Sequence, residues 1–325
     1  MFEKAALMWL YAEHPVHAGT GSGVGAIDLP IQRERVTNWP IIQPSGLKGA
    51  LRELFDKKNG KSTDPDFKAK ICEVFGPETQ AADLHSGAVS FTEARLLLFP
   101  VRSLRGTFAY LTCPLAVERL HRDLKTIKDC GGPDLTVRNS YSLPQNLTHP
   151  DEAKVLVNIK AQNQPDLCLV ITPSGQNQVG QVVLEEFTFT AQADPKVGQL
   201  AQWLAAAAPS LPWLDKANLA LRVAVVADNV FKDFVEMSTE VITRNKIDDK
   251  TGTVVEGALW TEEHLPRESV LYAPIFAAPS FFAADPKLSG ADEVINFLTT
   301  NGAGYLWIGG NTTVGRGLVR VAFAS

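Results

Sequence analysis

The first pattern along the chain is a nine-residue apolar run, Lys4 to Ala12 (KAALMWLYA), of the length and uniformity of a buried strand. From Glu13 the pattern dissolves into glycine and polar residues. It resumes with helical spacing at Ser45, where Leu47, Ala50, Leu51, Leu54 and Phe55 fall at i, i+3, i+4, i+7 and i+8, one buried stripe. Ser45 has the chemistry of that helix's N-cap. After a polar linker over 59–66, a short helix is expected over 67–75, strands over 88–99 and 107–113, and a helix from Pro114 to about Ile127. Glu185 to Ala191 alternates as a strand, and Pro195 to Ala208 reads as an alanine-rich helix with Leu200, Trp203 and Leu204 on one face. Strands are predicted over 220–227, 237–245, 258–262 and 270–277, the last two around a Leu265-Pro266 turn. A capped helix over 289–300, a strand over 305–308 and a closing strand complete the chain.

Two segments stand outside this pattern. Residues 128–181 are rich in Gly, Pro, Asn and Gln and read as irregular with short hairpins; so long an insertion is more often functional than idle. Residues 245–257 (NKIDDKTGTVVEG) form a polar tip between two strand arms. Strands and helices alternate without βαβ regularity, so the expected class is α+β, one domain over 1–325 with long excursions.

Composition narrows the setting. The chain has 325 residues and is 45% apolar, enough for a substantial core, and no apolar run approaches the ~20 residues of a membrane span. The first residues lack the small-residue cleavage site of a signal peptide. Four cysteines, far apart and without a CxxC, argue against a zinc site or disulfide framework and fit a reducing cytoplasm. A net charge of −5 counts against indiscriminate coating of nucleic acid. It leaves room for a local basic groove, because Arg33, Arg35, Lys48 and Arg52 cluster.

The candidate chemistry sits in the segment that broke the pattern. Gly19, Gly21, Gly23 and Gly25 free the backbone for positive φ or close approach; Asp28 follows, then Pro30 and a Gln-Arg-Glu-Arg run, then the helix start carrying Lys48 and Arg52. A dinucleotide fold is excluded because Asp28-Leu-Pro30 stands where its helix should begin. The second glycine loop, 309–317, has Walker-like spacing but no Lys-Ser/Thr and no room for the helix. Both loops can still meet phosphate through clustered N–H groups. Asp28 is either a capping or surface carboxylate, or the acid that places a divalent cation or accepts a proton beside a phosphate. His17 is either a structural strand-end residue or a proton carrier. Glu262 and His264 alternate on a strand end and point the same way, into solvent or into a site. Lys48 and Arg52, in the first turns of a helix, suit an anion.

Three stretches together carry a resemblance: His17-x-Gly-x-Gly-x-Gly-x-x-x-x-Asp28-Leu-Pro-Ile-Gln-Arg-Glu; Pro44-Ser-Gly-Leu-Lys-Gly-Ala-Leu-Arg52; and Gly309-Gly-Asn-x-Thr-x-Gly-x-Gly317. In this order they resemble the RAMP superfamily of CRISPR proteins, and within it the Cmr-type backbone subunits of type III-B complexes, whose signature Trp260-Thr-Glu-Glu-His-Leu-Pro266 also resembles. The resemblance implies an RRM-like (ferredoxin-like) palm with a protruding thumb, formed by 245–257 or by 128–181. It implies copies stacked head to tail on a guide crRNA beside other Cmr subunits, each cleaving guide-paired target RNA with a divalent metal, Mg2+ or Mn2+. Asp28 is then the essential catalytic and metal-holding residue, with His17, Glu262 and His264 assisting, although relatives often carry tyrosine where this chain has His264. Ser45, Lys48, Arg52, Arg33 and Arg35, with Gly309, Gly310, Thr312, Gly315 and Arg316 of the second loop, hold RNA on the same reading. A kinked target would let a 2′-OH attack its own phosphate in line, for which one carboxylate and a metal suffice. Three alternatives stay open: a non-catalytic guide-binding backbone subunit, a Csm-type backbone relative, and a guide-processing RAMP nuclease.

Overall fold

The Lys4–Ala12 strand (β1) has the same bounds as its apolar run and lies inside a large sheet with both faces covered. That burial is why it shows no alternation: Trp9 packs edge-on against Trp203 at 6.1 Å on one face, while Met8 and Leu10 are also fully buried. The structure is a computed structural model describing residues 2–23, 25–78, 85–158, 169–170, 180–208, 216–281 and 285–324.

After β1 the chain forms β2 (Ile41–Ile42), α1 (Pro44–Asn59), α2 (Phe67–Phe75), β3 (Val89–Phe91), β4 (Ala94–Arg102), β5 (Phe108–Thr112) and α3 (Pro114–Asp129). The middle third holds β6 (Val137–Arg138), β7 (Tyr141–Ser142), β8 (Lys154–Val157), β9 (Gln181–Leu184), β10 (Phe187–Ala193), α4 (Pro195–Ala207), α5 (Lys216–Arg222), β11 (Val223–Val225) and α6 (Asp228–Met237). The last third holds β12 (Glu240–Ile247), β13 (Val254–His264), β14 (Val270–Ala277), α7 (Ala291–Gly302), β15 (Gly304–Trp307) and β16 (Leu318–Ala324). One mixed sheet runs in the order β15-β16-β1-β14-β4-β5-β11-β8-β10-β9, with β2 on β4 and β3 on β14. The expected α+β class holds. No helix among the described residues is long and apolar enough to cross a membrane.

Several expectations shift in register or type. Helix α1 starts two residues early, capped by the extended Gln43 with Pro44 in its first turn; Ser45 is therefore inside the helix and exposed, not its cap. Its stripe buries Leu47, Leu51 and Phe55 as predicted. The strand predicted over 220–227 is only β11, its first part being the end of α5. The strand expected from 237 begins at Glu240, because Phe231, Phe234 and Val235 bury one face of α6, which ends at Met237. Within 128–181, β6 and β7 make a short hairpin and β8 enters the main sheet between β11 and β10, while 159–168 and 171–179 lie outside the described residues. Strands β12 and β13 pair only with each other among the named strands, as a hairpin that leaves the main sheet. Cys72, Cys113 and Cys130 are free thiols; Cys168 lies outside the described residues.

Candidate active site between two glycine loops

Three successive residues at the end of β13, Glu262, Glu263 and His264, are all buried, which a half-exposed strand does not allow. The cover comes from both edges. On one side β12 pairs from Glu240 opposite His264. On the other the Asp28–Ile31 segment runs parallel to β13, with Leu29 N–H donating to Thr261 O and Glu263 N–H to Leu29 O, each at 3.0 Å.

The first glycine loop is itself a hairpin. Residues 18–23 fold back on 28–32 through Gln32 N–H to Ala18 O (2.7 Å), Thr20 N–H to Pro30 O (3.1 Å) and Gly23 N–H to Asp28 O (2.8 Å). Gly21 has φ +95°, a Cβ on Gly19 would lie 2.6 Å from His17 Nε2, and one on Gly23 would lie 2.9 Å from Pro30 Cγ, so three of the four glycines have a direct steric or conformational reason. Asp28 leaves this hairpin exposed. Its Oδ2 accepts from Thr261 N–H at 2.8 Å and from the Thr261 hydroxyl at 2.9 Å, while Asp28 N–H donates to Thr261 Oγ1 at 3.0 Å. The Thr261 backbone N–H, then its hydroxyl, hold the Asp28 carboxyl below the usual carboxylate range. Thr261 lies inside the Trp-Thr-Glu-Glu-His stretch but carries no charge or ring that would single it out in the sequence.

His17 is where the two loops meet. Its Nδ1 lies 2.7 Å from Glu263 O; a carbonyl only accepts, so Nδ1 carries the proton and Nε2 faces Gly19. Gly310 N–H donates to His17 O at 3.0 Å, and a Cβ on Gly309 (φ +83°) would stand 2.2 Å from that oxygen. Gly310, Val314, Gly315, Arg316 and Gly317 direct their N–H groups at internal carbonyls, so the second loop is braced more than it is an open anion cradle. Thr312 and Gly315 are exposed on it, and Arg316 is half-buried, 3.7 Å from Glu240.

Glu262 and His264 do share a face, 3.8 Å apart, but under the loops instead of in solvent. Glu262 accepts from Trp260 Nε1–H (2.9 Å), Arg244 Nη1–H (3.1 Å to each oxygen) and Asn311 Nδ2–H (2.9 Å). Burial opposes its charge, and Trp260, Arg244 and the nearby His17 outweigh burial and lower its pKa. It ties the β12–β13 hairpin to the second loop. His264 is 0% exposed with neither ring nitrogen hydrogen-bonded, and burial, then Arg316 and His17, pushes its pKa down to about 4. Zero exposure keeps it from touching a substrate.

The arginines predicted to hold RNA divide. Arg33 faces inward, donating to Glu263 Oε1 at 2.5 Å and to the carbonyls of Asn38 and Val235 at 2.8 and 3.0 Å, so its charge is committed within the fold. Arg35 is exposed with no ion pair among the described residues. Ser45, Lys48 and Arg52 are not brought against Asp28; Ser45 and Lys48 line one groove with His85 and Phe91, and Lys48 and Arg52 line an adjoining one with Gly76 and Pro77. Lys48 has no acidic partner among the described residues, and burial, then Arg52, lowers its pKa. Arg52 donates through Nη1 to Gly76 O and Pro77 O, at 3.0 and 3.1 Å.

No group of three or more His, Cys, Asp or Glu side chains able to hold a metal occurs among the described residues. The single exposed carboxylate of Asp28 fits the way Mg2+ sits on phosphate substrates, with one or two protein carboxylates and the remaining ligands from phosphate and water.

The RAMP superfamily model matches residues 9–320. Over 318 residues the chain is 36% identical to the CRISPR system Cmr endoribonuclease Cmr4 of Pyrococcus furiosus, covering 98% of this chain and 95% of that protein. The crystal structure of oligomeric Cmr4 from Pyrococcus furiosus matches with a TM-score of 0.65 at 28% identity, over 98% of this chain and 97% of that one. A chain in the cryo-EM structure of the Type III-B Cmr-beta complex bound to cognate target RNA shares the fold, with a TM-score of 0.67 at 19% identity over 99% and 98% of the two chains.

Proposed function

The chain belongs to the RAMP superfamily, and from that premise we propose that it is a guide-RNA-binding backbone subunit of a type III-B CRISPR effector complex and an endoribonuclease on guide-paired target RNA. The named activity of its near full-length relative supports the class of reaction. The observation that carries the residue assignment is Asp28: a lone ionised carboxylate, exposed on a loop and fixed by two donors from Thr261.

A carboxyl held below its ordinary range is a weak base, so Asp28 acts by charge and position more than by taking a proton. With Oδ2 occupied by Thr261, Oδ1 is the oxygen that faces RNA, where it orients the attacking 2′-OH or holds a cation. Asp28 is the residue that would hold an Mg2+ or Mn2+ ion, which would supply charge stabilisation at the phosphate. His17 holds the two loops together from beneath Gly19, Glu262 fixes the second loop and the hairpin, and His264 fills the space between them as a neutral ring; these three position Asp28. Lys48, Ser45, Arg35 and Thr312 contact the RNA backbone, Arg52 and Arg316 supporting them, while sequence is supplied by base pairing. The β12–β13 hairpin, off the main sheet and exposing Val241, Ile247, Val254 and Leu259, is the thumb. Head-to-tail copies, other Cmr subunits and a reducing cytoplasm complete the setting; a repeated heterologous interface needs one face to complement another.

The test is single-turnover cleavage by the assembled complex. Asp28→Ala is expected to keep guide and target bound and to cut about 10²- to 10⁴-fold more slowly. EDTA should stop wild-type cleavage, with Mg2+ or Mn2+ restoring it. Wild-type cutting by Asp28→Ala sinks the assignment, and undiminished cutting in EDTA rules out the ion. A wild-type complex that binds target without cutting it would leave the purely structural subunit.

A further inference from the structure

The grooves that hold Lys48 and the loop that holds Asp28 are separate, yet one side chain spans them. Gln32 donates from Nε2 to Gly19 O at 3.1 Å, and its Oε1 accepts from Gln43 N–H at 2.9 Å. Gly19 belongs to the hairpin that carries Asp28 and covers His17 Nε2. Gln43 is the cap of α1, five residues before Lys48. The main chain of Gln32 is fixed independently, its N–H on Ala18 O (2.7 Å) and its carbonyl accepting from Ile41 N–H (3.0 Å). The amide therefore does one thing that its backbone does not: it joins an acceptor on the Asp28 loop to a donor on the N-cap residue of the helix that carries Lys48. Only a side chain with both a donor and an acceptor at that reach can make both bonds, which sets Gln apart from Glu, Met or Leu.

We propose that Gln32 is a positioning residue that sets the catalytic hairpin from the start of α1, so that a guide phosphate seated at Lys48 also places Asp28. The inference rests on the cleavage reading above. Gln32 touches neither RNA nor the reacting atoms; it acts through Gly19, and through the 18–23/28–32 pairing it acts on Asp28. A shift of the loop by a fraction of its hydrogen-bond length is enough, since misplacement of a reacting group by about 1 Å costs on the order of 10²-fold in rate.

The experiment compares Gln32→Glu and Gln32→Met in the assembled complex. The carboxylate of Gln32→Glu can still accept from Gln43 N–H but cannot donate to Gly19 O; Gln32→Met loses both bonds. Both are expected to carry guide and to bind target RNA with wild-type affinity, and both should cut about 10- to 100-fold more slowly at saturating target. Adding Lys48→Ala to Gln32→Met should lower the rate per bound complex by less than Lys48→Ala does alone. Wild-type cutting by Gln32→Glu overturns the inference, because it removes the Gly19 bond alone. So does a loss that appears only as weaker target binding with the saturating rate unchanged, and so does strict additivity with Lys48→Ala. If Gln32→Met fails to assemble, Gln32→Glu decides by itself, with Lys48→Ala then added in its background. Failure here leaves Asp28→Ala inactive, whereas failure of the cleavage reading leaves Asp28→Ala active.

Discussion

Asp28 depends on Thr261 twice, through a backbone donor that any residue would supply and a hydroxyl that few would. Both favour the ionised form, so the folded-state pKa lies below the ordinary value. As pH falls, Asp28 therefore stays charged through the ordinary carboxylate range near about 3.9 and is neutralised only below it. In Thr261→Val the acid limb of the cleavage rate should move up toward that ordinary value and the rate at neutral pH should fall about 10-fold, since one charge-assisted hydrogen bond is removed. Thr261→Ser should keep both, and a pH–rate series on the three proteins checks it. An unchanged acid limb in Thr261→Val would detach Asp28's ionisation from cleavage. Thr261 shows the limit of residue-level reading: nothing marks the threonine until the fold places it beside an aspartate 233 positions away.

The two glycine loops show which part of an element a pattern announces. Four glycines at alternate positions read as one flexible loop, but the structure uses them unequally. A Cβ on Gly19 would meet His17 Nε2 at 2.6 Å, whereas one on Gly25 would meet nothing within 4 Å. Gly19→Ala should therefore displace His17 or the hairpin and lower the cutting rate by at least about 10-fold, while Gly25→Ala should cut like wild type; parallel single-turnover assays compare them. Equal losses would mean that the loop's general flexibility matters and its contact with His17 does not. Helix α6 was illegible for a different reason. It is ten residues long, its stripe is three residues, and it abuts the strand pattern of β12, so a short period-3.6 signal merges into a period-2 one.

The molecule as a unit carries a net charge of −5, so on the proposed function it meets a polyanion with the cations that the fold leaves open, others being committed inward. Arg33 is held by buried Glu263, whereas Lys48 and Arg35 have no acidic partner among the described residues. Lys48→Ala should weaken RNA binding and make the plot of log affinity against log salt shallower by about 0.7–0.9, as expected when the protein neutralises one phosphate fewer. Arg33→Ala should leave that slope unchanged and lower stability by about 3–5 kcal/mol, because buried Glu263 loses its one ion-pair partner among the described residues and keeps only the Ile31 N–H and the Thr239 hydroxyl. Binding measured over a salt series, with thermal melts beside it, separates the two. A shallower slope for Arg33→Ala would return that arginine to the RNA surface.

Local period and ordered motifs were enough to specify the buried strand β1, the α1 stripe, the α+β class and the family. They also put Asp28 on a glycine loop and grouped His17, Glu262 and His264 with it. The standing of those neighbours was settled only by folding. Asp28 is exposed, while His264 and Glu262 lie beneath two loops drawn from opposite ends of the chain, and Arg33 is turned away from solvent. Whether a polar residue is saturated or free depends on partners 230 or more positions distant, as for Arg33 and Glu263. No local period encodes such a distance; it is set when β13 takes β12 on one edge and the Asp28–Ile31 segment on the other.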